Sequence, residues 1–369
     1  MKTQQPKIPL CIPEILNQDI AAVTKVLKTG NLVQGKKVKE LESYNNKYTK
    51  TKHTIAVSSG TATMHLALVA LGIKEGDEVI VPAFSYIATA NVVELVGATP
   101  IFVDIDPQTF NIDVNKIEEV ITTKTKAIIP VHEFGLPCEI LKVVELAKQY
   151  NLKVIEDAAC ALGAKYNNQH VGTFGDAGSF SLHPRKAITS GEGGLITTNS
   201  SALNKKLRIL RSHGYNEEIK DFSEAGFNYR ITDIQAALVL SQFTRLDQQI
   251  VKKRKLVKQY NSMLCSKIQK PIDPGDCYHA YQSYHVVLDD KIDRNEIIHK
   301  LSKIGLGTNY GAQCIPETAF YKKKYNYNCS KKFPNALKAF NSGLVLPLYS
   351  TLKDEEISYV CEKLNILTK

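Results

Sequence analysis

No stretch of this chain approaches the roughly 20 consecutive apolar residues that a helical membrane span requires. The opening residues, Met1-Lys2-Thr3-Gln4-Gln5-Pro6, lack the apolar core of a signal peptide, which gives a cytoplasmic expectation. Eight cysteines occur, at 11, 138, 160, 265, 277, 314, 329 and 361, but no two form a Cys-x-x-Cys pair. Zinc ribbons and thioredoxin-type redox chemistry therefore have no support; no metal site is expected, and the cysteines are read as reduced thiols. There is no repeat and no low-complexity linker. The formal charge is +10, with basic clusters at Lys322-Lys323-Lys324 and Lys331-Lys332. No nucleic-acid motif accompanies them, so they read as solvated surface, or as a bias toward phosphorylated substrates. What is present is ordinary for a globular protein: 369 residues, 43% apolar and 23% charged, enough for two or three domains.

From about 53 to 200 the chain alternates short β-rich runs with helical ones. Strands are expected at 53–59, 78–81, 99–103, 127–131, 153–155, 177–181 and 194–198. Helices are expected at 61–71, 86–96 and 137–150. The alternation predicts an α/β domain around a mostly parallel sheet, its strands apolar on both faces. From 232 to 263 the pattern reads as one long helix, with Thr232 as N-cap and Gln235 in the capping-box position. A strand at 284–288 and helices at 293–304 and 352–364 then suggest a smaller α+β domain. The expected division is 1–245 and 246–369.

The chemistry centres on Lys186, in Gly178-Ser179-Phe180-Ser181-Leu182-His183-Pro184-Arg185-Lys186, with Gly191-Glu192-Gly193-Gly194 just after it. An amine, an acid and small-residue anion sites together suggest pyridoxal phosphate (PLP). That cofactor needs a lysine for its Schiff base, an acid near the pyridine nitrogen, a phosphate cradle and a face against the ring. A nucleophilic lysine calls for a basicity lowered by burial or by a nearby cation such as Arg185; otherwise Lys186 is a surface loop residue. Asp157 ends an apolar run at the carboxyl edge of the sheet, where ligands of open α/β sheets collect; it is either the ring acid or a cap of the next turn. Ser58-Ser59-Gly60-Thr61-Ala62-Thr63 ends a strand and opens a helix, so its free amides either cradle an anion or form an ordinary N-cap. It is neither a Walker P-loop nor a Gly-x-Gly-x-x-Gly fingerprint. Ser181 adds a hydroxyl. Phe84 and Tyr86 follow a strand and serve either core packing or ring stacking.

Taken in order, these blocks resemble the sugar-nucleotide aminotransferases of the DegT/StrS group, fold-type-I PLP enzymes. The resemblance extends over nearly the whole chain. It includes Gly30-Asn31-Leu32-Val33-Gln34-Gly35, Ser58 to Ala62, Val81-Pro82-Ala83-Phe84-Ser85-Tyr86 onward, Pro130-Val131-His132, Glu156-Asp157-Ala158-Ala159, the Lys186 segment, Gly226-Phe227-Asn228-Tyr229-Arg230 through Ala237, and Leu346-Pro347-Leu348-Tyr349. It implies a large sheet domain with a smaller C-terminal domain. Lys186 would be the Schiff-base lysine and Asp157 the pyridinium partner. Gly60, Thr61, Ala62 and Ser181 would hold the phosphate, and Tyr86, rather than Phe84, would stack on the ring. Cys160 stands where many relatives carry Gln or His near the PLP 3-hydroxyl, and a thiol is a weaker donor. Asn228, with Arg230 as the alternative, would reach the phosphate of a neighbouring subunit's cofactor, which implies a homodimer.

The implied reaction moves an amine from glutamate to a keto group on a nucleotide-diphosphate deoxysugar, with Lys186 shuttling the proton. His183-Pro184 and Gly191-Glu192 favour the sugar C4, and His183 either borders the substrate or packs beside the cofactor. The alternatives are a C3 aminotransferase, a sugar dehydratase (opposed by the retained lysine) and a non-catalytic PLP-binding regulator.

Overall fold

The computed structural model describes residues 7–369. Seven short apolar runs form one sheet: β1 (His53–Val57), β2 (Glu78–Pro82), β3 (Thr99–Val103), β4 (Thr125–Ile128), β5 (Lys153–Asp157), β6 (Ala177–Ser181) and β7 (Gly194–Thr198). Their spatial order is β1-β7-β6-β5-β4-β2-β3. Strands β3, β2, β4, β5 and β6 pair in parallel, whereas β7 runs antiparallel to β6 and β1.

Alternate side chains of each strand point to opposite faces, and both faces are covered. The helices are α1 (Asn17–Leu27), α2 (Lys36–Thr49), α3 (Gly60–Ala70), α4 (Ala88–Leu95), α5 (Ile140–Gln149), α6 (Ser201–Arg211), α7 (Asp233–Phe243) and α8 (Leu246–Met263). On one face Ile55, Val81 and Ile155 meet Leu66 of α3, Val92 of α4 and Leu207 of α6. On the other, Ala56 and Leu195 meet Leu41 of α2 and Val239 of α7, while Ile80 and Val154 meet Val143 of α5. Each such burial stabilises by about 1.5–3 kcal/mol per large side chain. No described helix is long and apolar enough to cross a membrane.

A separate apolar cluster joins Leu256 and Tyr260 of α8 to the antiparallel pair Tyr284–Val287 and Gly343–Leu346 and to the helices Arg294–Lys303 and Asp354–Leu367. The chain between them does not stay with that cluster. Cys314, Ile315, Tyr321 and Phe333 join the core of the large sheet, and Gln313–Cys314 pairs antiparallel with Phe84–Ser85.

Two elements differ from the sequence reading. The expected helix over 232–263 is two helices, because the chain turns at Thr244 and Arg245 (Arg245 φ −117°, ψ 6°). Tertiary contacts override propensity there: Gln242 bonds both the amide and the carbonyl of Thr189 (3.1 and 2.7 Å), and the Arg245 guanidinium turns to Asp19 (2.9 Å) and the Glu14 carbonyl (2.7 Å). The Thr232 cap and its box with Gln235 are present (3.2 and 3.1 Å). Likewise the helix expected from 86 starts at Ala88, since Phe84–Ser85 is drawn into a strand.

Candidate active site

The carboxyl ends of the strands surround a cavity of about 360 Å³ whose wall includes Gly60, Tyr86, Asp157, Cys160, Ser181 and Lys186. Thr61, Glu133 and His183 line it as well.

Lys186 sits in a turn closed by its own amide, which donates to the His183 carbonyl at 2.8 Å. Its Nζ donates to Cys160 Sγ at 3.0 Å. Burial alone would lower the basicity of this amine. The hydrogen bond to Cys160 Sγ and the carboxyls of Asp157 and Glu133 oppose burial, and the net shift is upward. This corrects the lowered basicity looked for in the sequence: acidic groups, not Arg185, dominate its surroundings, and the Arg185 residue is exposed. Cys160 is pushed up by burial and so keeps its proton.

Asp157 is the last residue of β5 and is buried. The Thr89 hydroxyl donates to one carboxyl oxygen at 2.9 Å and the Ala159 amide to the other at 3.1 Å. Burial raises its pKa, and those donors, with Lys186 and His132, oppose the rise. Behind it, buried Glu156 accepts from the amides of Gly172, Phe174 and Gly175 (2.7, 2.7 and 2.8 Å) and from His132 Nε2 (3.1 Å). His132 Nδ1 accepts from the Cys138 amide at 3.1 Å, which fixes Nε2 as the protonated nitrogen. This network holds the strand end that carries Asp157.

The cradle opens α3. Ser59 is the N-cap, and its hydroxyl accepts from the Ala62 amide at 3.1 Å. Ala62 therefore spends its amide on the cap and lies outside the cavity wall. Gly60 and Thr61, at the first two helical positions, have no intrahelical acceptor by geometry, and both face the cavity. A Cβ on Gly60 would stand 2.8 Å from Ser181 Cβ and 3.0 Å from its Oγ, so glycine is what lets these two walls close. Ser181 Oγ accepts from the His183 amide at 3.3 Å, and His183 Nδ1 accepts from the Arg185 amide at 3.2 Å.

Tyr86 stands at the cavity mouth, 63% exposed. Phe84 is fully buried in an aromatic cluster with Phe110, Phe134 and His285 and is a core residue. Asn228 is exposed, its backbone bridged to Ser212, and the fold does not bring it to the cavity of its own chain. Two residues at the site escaped the sequence reading. Thr89 lies one helical turn after Tyr86, and that spacing was the available signal. Glu133 directly follows the Pro130-Val131-His132 block, where an acid at the carboxyl edge of a strand was a signal left unused.

An amine and a held carboxyl in the wall of one cavity, and two helix N-terminal amides without an intrahelical acceptor beside a hydroxyl, form a donor set that fits PLP. The chain matches the family model described as DegT/DnrJ/EryC1/StrS aminotransferase over residues 13–365. It is 41% identical over 308 residues to a GDP-perosamine synthase of Caulobacter vibrioides (82% of this chain, 83% of the relative). It is 38% identical over 329 residues to a GDP-perosamine synthase of Escherichia coli O157:H7 (88% and 89%). Among solved structures, the PLP form of a Streptococcus pneumoniae protein described as a sugar aminotransferase superposes with a TM-score of 0.92 at 31% identity, covering 98% of each chain. The chain thus belongs to the DegT/DnrJ/EryC1/StrS aminotransferase family and is a PLP-dependent sugar aminotransferase.

Proposed function

We propose that this enzyme transfers an amino group from glutamate to a nucleotide-linked 4-keto-6-deoxyhexose, giving a 4-amino-4,6-dideoxy sugar nucleotide. The observation that carries the reading is the cavity that joins Lys186, Asp157 and the Gly60–Thr61 turn in a chain whose relatives include GDP-perosamine synthases. The His183-Pro184 and Gly191-Glu192 flanks of the lysine agree with it.

When bound, PLP supplies an aldehyde that exchanges the amine and a ring that accepts electron density from the substrate carbon. The residues do the rest. The Gly60 and Thr61 amides and the Ser181 hydroxyl bind the phosphate. Asp157, oriented by Thr89 and Ala159, holds a proton on the ring nitrogen. Tyr86 covers the ring face at the cavity mouth. Lys186, as its neutral amine, would take the proton from the substrate carbon and return it across the exchanged nitrogen, as base and then acid. Cys160 orients the Lys186 amine through the 3.0 Å hydrogen bond. His183 borders the sugar. The working form is a cytoplasmic homodimer in which Asn228 reaches the neighbouring subunit's cofactor phosphate.

The test is incubation of the PLP-loaded enzyme with glutamate and nucleotide 4-keto-6-deoxysugars, with product analysis by NMR. An amine at C4 is expected. An amine at C3 overturns the regiochemistry, and normal turnover by Lys186→Ala overturns the mechanism.

A further inference from the structure

The strand order sorts the cavity groups across the carboxyl edge of the sheet. The Gly60–Thr61 turn follows β1 and Ser181 ends β6, on one side of Asp157 at the end of β5. Glu133 lies just beyond β4 and Ser85 just beyond β2, on the other side. A pyridine ring with its phosphate in the turn, its nitrogen at Asp157 and its aldehyde carbon at Lys186 has one further substituted edge, which carries the methyl and the hydroxyl. That edge, opposite the phosphate, would face the β4 side, where Glu133 lines the cavity wall. Cys160, the other group there, offers only a weak S–H donor.

We propose that Glu133 is a second acid of this site, a protonated carboxyl that donates a hydrogen bond to the 3-oxygen of bound PLP. The inference rests on the reading of Lys186 and Asp157 given above. Glu133 is 4% exposed. Its position is fixed, since its amide donates to Asn111 Oδ1 at 2.8 Å. The following turn is wedged in place: Gly135 (φ +95°) leaves no room for a Cβ, which would stand 2.9 Å from the Cys160 carbonyl. The groups that act on the carboxyl are Asp157, Lys186, the Ser85 hydroxyl and the Phe134 amide. Burial, then Asp157, pushes its pKa up, against Lys186 and the two hydrogen-bond donors, to about 8. Cys160 shares the cavity as a neutral thiol, and His183 and Glu192 line its wall. On the far side of the Glu133 turn, His279 and His285 are held neutral by burial and offer no cation. Two neighbouring buried carboxyls do not both ionise readily. Asp157 is held by the Thr89 hydroxyl and the Ala159 amide, and at Glu133 burial outweighs the Ser85 and Phe134 donors, so the proton falls to Glu133. A carboxylic O–H toward a phenolate-like oxygen is a strong donor, where the thiol is not.

The experiment compares wild type, Glu133→Gln and Glu133→Leu by two readouts: PLP affinity of the cofactor-free protein, and the pH midpoint of the bound-cofactor absorbance band. Glu133→Gln keeps a donor, so affinity stays within about threefold of wild type. Glu133→Leu removes it, so PLP binds roughly 10- to 100-fold more weakly. In that variant the band midpoint moves up by about one pH unit, because a 3-oxygen without its donor is more basic. Adding Cys160→Gln to Glu133→Leu places an amide donor on the same edge and recovers part of the affinity. The thermal midpoint of cofactor-free Glu133→Leu is equal to or above wild type, which separates lost binding from lost folding. Unchanged affinity and band midpoint in Glu133→Leu overturn the inference alone. A wild-type protein with no Lys186-dependent cofactor band overturns the site reading and the inference with it.

Discussion

At the scale of the residue, the site depends on groups that orient the reacting ones. Thr89 is the clearest: its hydroxyl donates to Asp157 at 2.9 Å and lies 3.0 Å from the Ser85 hydroxyl. Valine has nearly the same shape but no donor. A hydrogen bond to a buried carboxylate contributes about 1.5–3 kcal/mol, and its loss favours the neutral acid. Thr89→Val is therefore expected to raise the pKa of Asp157 and to move the acid limb of the kcat–pH profile to higher pH, with kcat reduced roughly tenfold or more. Thr89→Ser should restore the wild-type limb. A Thr89→Val enzyme with an unmoved limb would show that Thr89 does not tune Asp157. Lys186 and Asp157 were legible in the sequence because their residue types are scarce in such settings: a lysine between apolar strand and glycine turn, an aspartate closing a buried strand. Thr89 and Glu133 carried weaker signals, because Thr89 acts through Asp157, which only the fold brings to it, and Glu133 is placed at the cavity by the turn after its strand. The cradle was legible as a turn, but not the diversion of the Ala62 amide to Ser59, which depends on the rotamer of one hydroxyl.

At the scale of the element, the strands and their caps follow from local pattern, and the helix break at Arg245 does not. Nothing between Thr232 and Met263 forbids a continuous helix: there is neither proline nor glycine in that run. The break is set by Asp19, more than 200 positions earlier and fully buried. Asp19 accepts from the Arg245 guanidinium and from the Leu16 amide (2.8 Å). Burial works against its ionisation, but those donors, led by Arg245, hold its carboxyl below the usual range. Arg245→Leu would leave a buried carboxylate without its cation, at a cost of about 3 kcal/mol, the lower end for breaking such a pair. Urea unfolding should show that loss in the midpoint with the slope unchanged. Adding Asp19→Asn should recover part of it, since the orphaned charge is gone. Loss of stability equal in Arg245→Leu and in the double variant would mean that packing, and not the ion pair, anchors α1 to α7. The strand Phe84–Ser85 was hidden for the same reason as the break, because its partner Gln313–Cys314 comes from the far end of the chain.

At the scale of the whole molecule, buried groups that titrate abnormally set the pH at which the fold is most stable. Burial pulls His170 down to about 4 and His279 and His285 down to about 3, from an ordinary value of 6.5. For a base whose pKa is lowered on folding, the unfolded chain binds the proton that the folded chain refuses. Stability is then present above 6.5 and is lost as pH falls toward the folded values. Glu133 acts in the opposite sense: its pKa rises from 4.5 to about 8, so the folded state keeps a proton that the unfolded chain releases, and stability falls as pH climbs through that window. Between 4.5 and 6.5 these histidines, joined by His53, His65 and His183, which shift the same way, outweigh Glu133 and Asp157, so the thermal midpoint of the cofactor-free protein should rise with pH. Above 6.5 the histidines fall silent and Glu133 gives a gentler decline toward 8. His285 offers the sharpest check. Among the described residues neither of its buried ring nitrogens has a hydrogen-bond partner, and the ring stacks on Phe134 at 4.5 Å, so the imidazole serves there as an aromatic and not as a polar group. His285→Leu should lower the midpoint at pH 7, where packing is lost. It should also remove one proton's worth of slope from the acid limb, so that the gap to wild type narrows steadily from pH 6.5 to 4.5. A gap of constant size across that range would mean that His285 takes up its proton in the folded state as easily as in the unfolded one, and that burial does not hold it neutral.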